Sequence, residues 1–193
     1  MGGGKFTSTV ICGLRGSGKT EYAKRIAVEH GRRCLVVDTV KDFGTGYNFY
    51  VWRPQFHFPE VLADLIKGIT SGTEGVKQGE DIDLLIVDEA NRYAAGGGAK
   101  LHPVIAEYND QLRHAPYSCS AIWIVRRPVQ LHPDIVGLAD RVIVFRVTGV
   151  RDIRYLDDLC SGLGSQAQFL PDFYYLDYSA GKFEVKPPIN IVK

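Results

Sequence analysis

The stretch STVICGLRGSGKTEYAKRI, residues 8–26, decides how this chain is expected to fold. An apolar run that ends at Cys12 predicts a strand over 6–12, and a helix is predicted over 18–30. Between them, GLRGSGKT (residues 13–20) matches the pattern G-x-x-x-x-G-K-[ST] in full. A strand, a glycine-rich loop and a helix in this order are the context in which the pattern binds phosphate.

This loop has a physical reason to bind a nucleoside triphosphate. Its glycines let backbone N–H groups face inward around a phosphate, and the N-terminus of the following helix adds a favourable dipole. Lys19 is expected to reach the β- and γ-phosphates, and the Thr20 hydroxyl to ligate Mg²⁺. The alternative is a glycine-rich turn with a coincidental Lys-Thr pair, and the predicted strand and helix argue against it. The expected nucleotide-binding positions are Gly13, Arg15, Gly16, Ser17, Gly18, Lys19 and Thr20.

A second motif, LLIVDEA (residues 84–90), is an apolar strand that ends in two acids. Such a strand delivers its last carboxylate to the crevice at the carboxyl edge of the sheet, where ligands bind. Asp88 is therefore expected to hold the Mg²⁺ shell, and Glu89 to polarise the water that attacks the γ-phosphate. The alternative for Glu89 is that it only caps the next segment. The acid pair argues against a small-molecule kinase, which has no need to activate water.

Arginines at two positions are candidates for stabilising the charge of the transition state. Arg113 closes a helix predicted over 103–113, where it could project from a subunit edge into a neighbour's site as an arginine finger. Alternatively, Arg113 is a cation that interacts favourably with the dipole at the C-terminus of the helix. Arg126 and Arg127 follow a strand predicted over 121–125, and one of them could sense the γ-phosphate, with Gln130 a weaker candidate. A solvated basic turn before Pro128 would explain this pair equally well.

Composition bounds the class of protein. A chain of 193 residues with 45% hydrophobic and 23% charged residues is expected to form one globular domain over residues 1–193. No apolar run reaches the roughly 20 residues that span a bilayer, and the N-terminus has no secretory signal pattern, so we expect a cytoplasmic protein. The formal charge of +1 excludes a strong global attraction to nucleic acid. A DNA-binding surface would therefore have to be local or be created by assembly.

The rest of the chain alternates between apolar runs and helical stretches, the pattern of parallel βα units. It predicts a mostly parallel sheet with core strands at 6–12, 34–38, 83–88, 121–125 and 141–147. Helical spacing predicts a helix over 58–69, and a short helix could follow Pro133. Residues 42–54 are expected to form a turn-rich connection that could contain short extended pieces, 70–81 a polar loop, and 94–99 a flexible loop. The tail over 173–185 alternates around Ser-Ala-Gly and predicts a C-terminal β-hairpin.

These residues together resemble the HerA–FtsK superfamily of DNA-pumping ATPases, and most of all the packaging ATPases of icosahedral viruses with an internal membrane. The more specific part of the resemblance is the ordered series LRHAPYSCSAIWIVRRPVQLHPDIVGLADRVIVFRV over 112–147. Family members show an Arg ahead of the fourth strand, a polar residue and then Arg-Pro after it, and a fifth strand ending near Phe-Arg. Those positions are occupied here by Arg113, Arg126-Arg127-Pro128 and Phe145-Arg146. Arg126 stands where the family usually has Gln, which leaves its sensor role open.

The resemblance implies an α/β P-loop NTPase fold of the RecA/FtsK type, with a mostly parallel sheet flanked by helices. It implies that the protein hydrolyses ATP with Mg²⁺ and couples hydrolysis to the movement of double-stranded DNA. The packaging ATPases, to which the resemblance is strongest, move that DNA into a viral capsid. It also implies a homo-oligomeric ring, with a hexamer suspected, and capsid vertex proteins as further partners; a viral protein could then be virion-associated.

Two rival functions stay open. One is a related P-loop ATPase that acts on protein, as in the extrusion of filamentous phage, which an amphipathic or membrane-spanning segment would favour. The other is a nucleotide-dependent switch with little turnover, against which Glu89 argues. Measuring ATP turnover with and without double-stranded DNA discriminates among the three.

Overall fold

A computed structural model of the chain describes residues 6–71, 82–112, 114 and 118–189. The predicted polar loop, apart from its first two residues, and Arg113 lie outside these ranges. The described strands are β1 (Ser8–Cys12), β2 (Cys34–Val37), β3 (Tyr50–Trp52), β4 (Leu84–Val87), β5 (Ser120–Val125), β6 (Arg141–Phe145), β7 (Tyr175–Ser179) and β8 (Lys182–Lys186). The described α-helices are α1 (Lys19–His30), α2 (Pro59–Ser71), α3 (Pro103–Gln111), α4 (Pro133–Gly137), α5 (Val150–Leu159) and α6 (Leu163–Ala167).

All of these strands belong to one sheet, in the order β3-β2-β4-β5-β1-β6-β7-β8. The first six strands of that order are parallel, whereas β7 is antiparallel to β6 and β8 is antiparallel to β7. Parallel strands covered on both faces consist of near-continuous apolar runs, as in LLIV of β4. The expected mostly parallel sheet, flanked by helices and ending in a hairpin, is confirmed.

Side chains alternate between the two faces of the sheet and build two hydrophobic cores. On one face, Ile11 and Ile86 pack with Tyr22 of α1. On the other face, Val87 and Trp123 pack with buried residues of α2, α3 and α5. Because both faces are covered, the carboxyl edges of the parallel strands are left as the place for a ligand.

Two helices were not predicted from the sequence, and one short strand was predicted only as a possible extended piece. The short strand β3 lies inside the predicted turn-rich connection and pairs in parallel with β2. With three half-buried residues, it is too short to show a strand's periodicity. Helices α5 and α6 follow β6, where no helix was predicted. Gly164 of α6 lies so close to the backbone of Ile153 of α5 that a Cβ would clash, which shows how tightly these two helices pack.

The C-terminal hairpin turns at Ala180 and Gly181, with φ angles of 49° and 77°. Positive φ at both central residues is the backbone of the tight turns that join antiparallel strands. The hairpin is not a separate lobe, because β7 pairs with β6 from Arg141 opposite Ser179 to Phe145 opposite Tyr175. It therefore extends the main sheet on the side of β1 away from β4.

The predicted flexible loop over 94–99 is partly anchored. Ala95 forms an isolated antiparallel bridge with Leu131, and the N–H of Gly96 donates to the carbonyl of Gln130 at 2.8 Å. A Cβ on Gly96 would meet the Leu131 carbonyl oxygen at 2.8 Å, so the close approach needs glycine. Within this loop, Gly97 and Gly98 have positive φ, and nothing lies within 4 Å of the position of a Cβ at either residue. Among the helices described, none has the length and apolar character of a membrane-spanning segment.

Candidate nucleotide-binding site

The loop over 13–20 follows the central strand β1 and is held by both neighbouring strands. The N–H of Gly13 donates to the carbonyl of Arg126, after β5, at 3.3 Å. The N–H of Leu14 donates to the carbonyl of Arg146, after β6, at 2.9 Å. These bonds fix the loop at the carboxyl edge of the sheet, where the topology predicts a ligand.

Glycine is required at the start of this loop. Gly13 has φ 141°, and a Cβ there would lie 2.6 Å from the Cβ of Phe145. Gly18, the N-cap of α1, has φ 110° and makes no side-chain cap. The first N–H groups of α1 therefore remain available to a phosphate.

Lys19 lies inside the curve of the loop. It is 8% exposed, and its Nζ donates to the carbonyl of Leu14 at 2.8 Å. Burial lowers the pKa of the Lys19 ammonium, while the thiol of Cys12 and the carboxylates of Glu89 and Asp88 act in the opposite direction. The ammonium thus spans the loop where a phosphate would be enclosed.

Asp88 follows β4 directly and is 4% exposed. Its carbonyl accepts a hydrogen bond from the Thr39 hydroxyl at 2.7 Å, which fixes the backbone at the strand end. Its buried Oδ2 has no hydrogen-bond partner among the described residues. Burial, and secondarily the nearby charge of Glu89, raise the pKa of Asp88 to about 7. A buried carboxylate oxygen without a hydrogen-bond partner is a suitable ligand for a cation.

Glu89 adopts the left-handed conformation, with φ 48° and ψ 48°. Such a conformation is uncommon for a residue other than glycine, asparagine or aspartate and re-aims the side chain at the strand end. Its Oε1 accepts a hydrogen bond from Arg126 Nε at 2.6 Å. The Glu89 side chain is 13% exposed, whereas that of Arg126 is 47% exposed. The predicted base and the predicted sensor are therefore in direct contact.

The two arginines after β5 lie in different environments. Arg126 faces Glu89, whereas Arg127 Nε donates to Asp152 Oδ2 of α5 at 2.9 Å. Asp152 is 3% exposed, so this second pair ties the turn after β5 to the first turn of α5. Both arginine side chains are 47% exposed, and each is paired with an acidic residue.

One cavity at the carboxyl edge of the sheet contains most of the predicted site. Its lining residues are Arg15, Gly16, Lys19, Thr20, Val40, Asp42, Asp88, Glu89, Ile124, Val125 and Arg126. Gly13, Ser17 and Gly18 belong to the same loop without lining the cavity, and Arg113 lies outside the described residues.

The segment after β2 was missed from the sequence. Asp42 lines the cavity, and its N–H donates to Oδ1 of Asp38 at 3.0 Å. Asp38 is 1% exposed and also accepts from Arg53 Nε at 2.9 Å. The signal available in the sequence was that Asp38 ends the strand predicted over 34–38. In the structure Asp38 directly follows β2, which pairs with β4.

A magnesium ion at this site would have to be shared with the nucleotide. Within the described ranges, no group of three or more His, Cys, Asp or Glu side chains could hold a metal ion alone. Mg²⁺ is typically bound by one or two protein oxygens together with substrate phosphates. The unpartnered Oδ2 of Asp88 and the Thr20 hydroxyl in the same cavity fit that arrangement.

Comparison with known proteins places the fold. No protein-family model and no curated protein matches the chain. Among solved structures, the genome-packaging NTPase B204 of Sulfolobus turreted icosahedral virus 2, in complex with ATPγS, is similar with a TM-score of 0.78 at 18% identity. That match covers 95% of this chain and 98% of B204.

Two other solved structures share the fold at lower similarity. The conjugation coupling protein TcpA of pCW3, with ATPγS, has a TM-score of 0.64 at 14% identity, over 94% of this chain and 60% of TcpA. The N-terminal domain of zonular occludens toxin from Neisseria meningitidis has a TM-score of 0.53 at 11% identity, over 96% of both chains. These likenesses confirm the expected fold, an α/β P-loop NTPase fold with a mostly parallel sheet flanked by helices.

Proposed function

We propose that this cavity binds ATP with Mg²⁺ and hydrolyses it. The observation that carries the proposal is that Lys19, Asp88, Glu89 and Arg126 line one cavity around a glycine-rich loop. Each supplies a function that phosphoryl transfer needs: a cation for the phosphates, a metal ligand, a base and a second cation. Structural relatives that were solved with ATP analogues support the same proposal.

Each residue has a defined task in this proposal. Lys19 exchanges its bond to the Leu14 carbonyl for the β- and γ-phosphates. Thr20 and Asp88 would hold Mg²⁺, which neutralises charge on the phosphate oxygens when it is bound. Glu89 accepts a proton from the water that attacks the γ-phosphate in line. Because Asp88 is buried beside Glu89, binding a cation also relieves the repulsion between the two carboxylates.

Arg126 has a role that its contact with Glu89 suggests. While the 2.6 Å bond to Glu89 is made, one oxygen of the base is not free to accept a proton from water. A γ-phosphate carries more negative charge than a carboxylate and competes for the same guanidinium. Arg126 would then move to the phosphate and release Glu89, which couples activation of the base to arrival of ATP.

We further propose that hydrolysis moves double-stranded DNA, as in packaging of a viral genome. Support comes from the likeness in fold to a genome-packaging NTPase and a conjugation coupling protein. Lys100, exposed after the partly anchored glycine loop, is our candidate contact to DNA phosphates. A ring of subunits would repeat this cation around a pore and so create a basic surface. One chain, with a formal charge of +1, does not have such a surface by its overall charge.

The test is phosphate release from ATP with and without double-stranded DNA over a range of salt. We expect stimulation by DNA that weakens as salt rises. Lys100→Ala should reduce the stimulation and flatten its salt dependence, with basal turnover unchanged. Turnover that ignores DNA would favour the motor acting on protein, and nucleotide binding without turnover would favour the switch.

A further inference from the structure

A second cleft lies beside the phosphate loop, on the side of β6. It is formed by the loop residues from Leu14 to Ser17 together with Arg146, Pro171, Asp172 and Phe173. Arg15 and Gly16 line both this cleft and the phosphate cavity, so the two adjoin the same loop.

The direction of a bound nucleotide follows from the strand order. Glu89 and Arg126 follow β4 and β5, and β5 pairs with β1 on the opposite side from β6. If the γ-phosphate faces Glu89 and Arg126, the nucleoside end of the nucleotide points away from β4. The second cleft is on that side of the loop.

Phe173 is an unusual residue for its position in this cleft. It lies in a turn closed by a hydrogen bond from Tyr174 N–H to the Pro171 carbonyl at 3.2 Å, and its φ is 66°. The third position of a turn with positive φ strongly favours glycine. The phenyl ring is also 54% exposed, so the core does not account for it. Neither the turn nor the packing of the fold explains an aromatic residue here.

Two contacts hold this ring beside the phosphate loop. A Cβ on Gly18 would lie 3.5 Å from Phe173 Cδ1, so the ring covers the N-cap of α1. Arg146 Nη2 pairs with Asp172 Oδ1 at 2.8 Å, while the Arg146 carbonyl accepts the N–H of Leu14. The turn that carries Phe173 is thereby tied to the end of β6, where the Arg146 carbonyl holds the phosphate loop.

We propose that Phe173 is the stacking platform for the purine base of the nucleotide, with Asp172 and Arg146 lining the edge of the ribose. The proposal rests on the nucleotide-binding function above and assigns its nucleoside half. An exposed aromatic face gains by stacking on a base, since every purine has a π-face and water is displaced from both rings. Asp172, 71% exposed, can accept hydrogen bonds from ribose hydroxyls.

The competing role for Phe173 is contact with another subunit. Phe169, four residues earlier, is 80% exposed and does not line the cleft. Phe169 is therefore a matched control, because replacing either phenylalanine with alanine removes exposed apolar surface.

The experiment measures binding of two ligands to the full chain with Mg²⁺ by calorimetry: a non-hydrolysable β,γ-imido analogue of ATP, and inorganic tripolyphosphate. Phe173→Ala should weaken the analogue roughly five- to 150-fold, the value of one stacked base, and leave tripolyphosphate unchanged. Phe173→Tyr and Phe169→Ala should bind both ligands as the wild type does. Phe173→Gly should lower analogue affinity in the same way without lowering the melting temperature, because it relieves the positive φ.

Each contrary result has its own meaning. An unchanged analogue affinity in Phe173→Ala overturns the stacking platform while leaving the phosphate site intact. Equal weakening of both ligands also overturns it, because the ring would then act through the loop. If Phe173→Ala alters the oligomer mass without altering selectivity for the base, the subunit contact is the correct assignment. A wild type that binds neither ligand contradicts the proposed function itself.

Discussion

At the scale of single residues, the site contains a cationic and an acidic side chain that the fold has largely buried away from water. Lys19 and Asp88 are both more than nine-tenths buried, and the Asp88 Oδ2 has no partner among the described residues. Glu89 has a left-handed backbone conformation, and its carboxylate accepts a hydrogen bond from Arg126. A site of this kind holds its carboxylates at a free-energy cost that a cation and a phosphate would offset.

The sequence identified these residues because their signals are local. Lys19 is specified by the three other fixed positions of one motif, Gly13, Gly18 and Thr20. Asp88 and Glu89 are specified by an apolar strand that ends in two acids. The pairing of Arg126 with Glu89, 37 positions apart, could not be predicted, because it depends on β4 and β5 being neighbours. Asp42 was missed for a similar reason, since no motif surrounds it.

The raised pKa of Asp88 gives a pH-dependent prediction. The carboxyl is protonated up to about pH 7 in the fold but only to about pH 4 when unfolded, so its contribution to stability is present at low pH and lost as pH rises through 7. Asp88→Asn should therefore stabilise the nucleotide-free protein, by up to roughly 4 kcal/mol at pH 8 and less at pH 5. It should also weaken the Mg²⁺-dependent part of nucleotide binding.

Thermal melts between pH 5 and pH 8 check this prediction. Asp64→Asn is the control, since that side chain is 76% exposed on α2. A stabilisation that does not grow with pH would contradict the assigned environment of Asp88.

At the scale of elements, the strand, loop and helix around residues 13–20 were predicted because each has a strong local pattern. The same holds for β2, β4, β5 and β6, whose apolar runs are buried on both faces. Elements that depend on partners were predicted weakly or missed. Strand β3, which exists as an addition to β2, was only a possible extended piece, and α6, which packs on α5 through Gly164, was not predicted. Tertiary contact decides such short segments more than local preference does.

The fixed position of the phosphate loop predicts unequal effects of two glycine substitutions. Gly13→Ala should destabilise the protein by about 1–3 kcal/mol beyond the cost of positive φ, because its Cβ meets Phe145 at 2.6 Å. Gly16→Ala also has positive φ, 75°, but nothing lies within 4 Å of its Cβ, so it carries a conformational cost without a clash. Urea unfolding of the two variants measures the difference. Equal losses would mean that the loop is not pressed against the end of β6.

At the scale of the whole molecule, the proposed motor needs a second subunit to complete its site. Arg113 remains our proposal for the finger, and it lies just beyond α3, outside the described residues. Arg151 and Arg154 are exposed on α5 and are the alternative donors. No single-chain pattern establishes a ring, because the residues that would complete it come from different chains.

Mixing two inactive variants tests the ring and the finger together. Glu89→Gln lacks the base, and Arg113→Ala lacks a group that stabilises charge in the transition state, so each alone should bind ATP and lose most turnover. In mixed rings, some interfaces combine an intact Glu89 with an intact Arg113, and partial activity should return. A finger acting within its own subunit would restore none. Full activity of Arg113→Ala, with loss in Arg151→Ala or Arg154→Ala, would move the finger to α5.

The central claim, that the loop over 13–20 and the acids after β4 form an ATP-hydrolysing site, is tested most directly by steady-state phosphate release. The measurement compares the purified wild type with Lys19→Ala, with and without Mg²⁺, after circular dichroism shows that both are folded. We predict Mg²⁺-dependent turnover in the wild type, and neither ATP binding nor turnover in Lys19→Ala. Equal turnover in a folded Lys19→Ala protein would contradict the assignment.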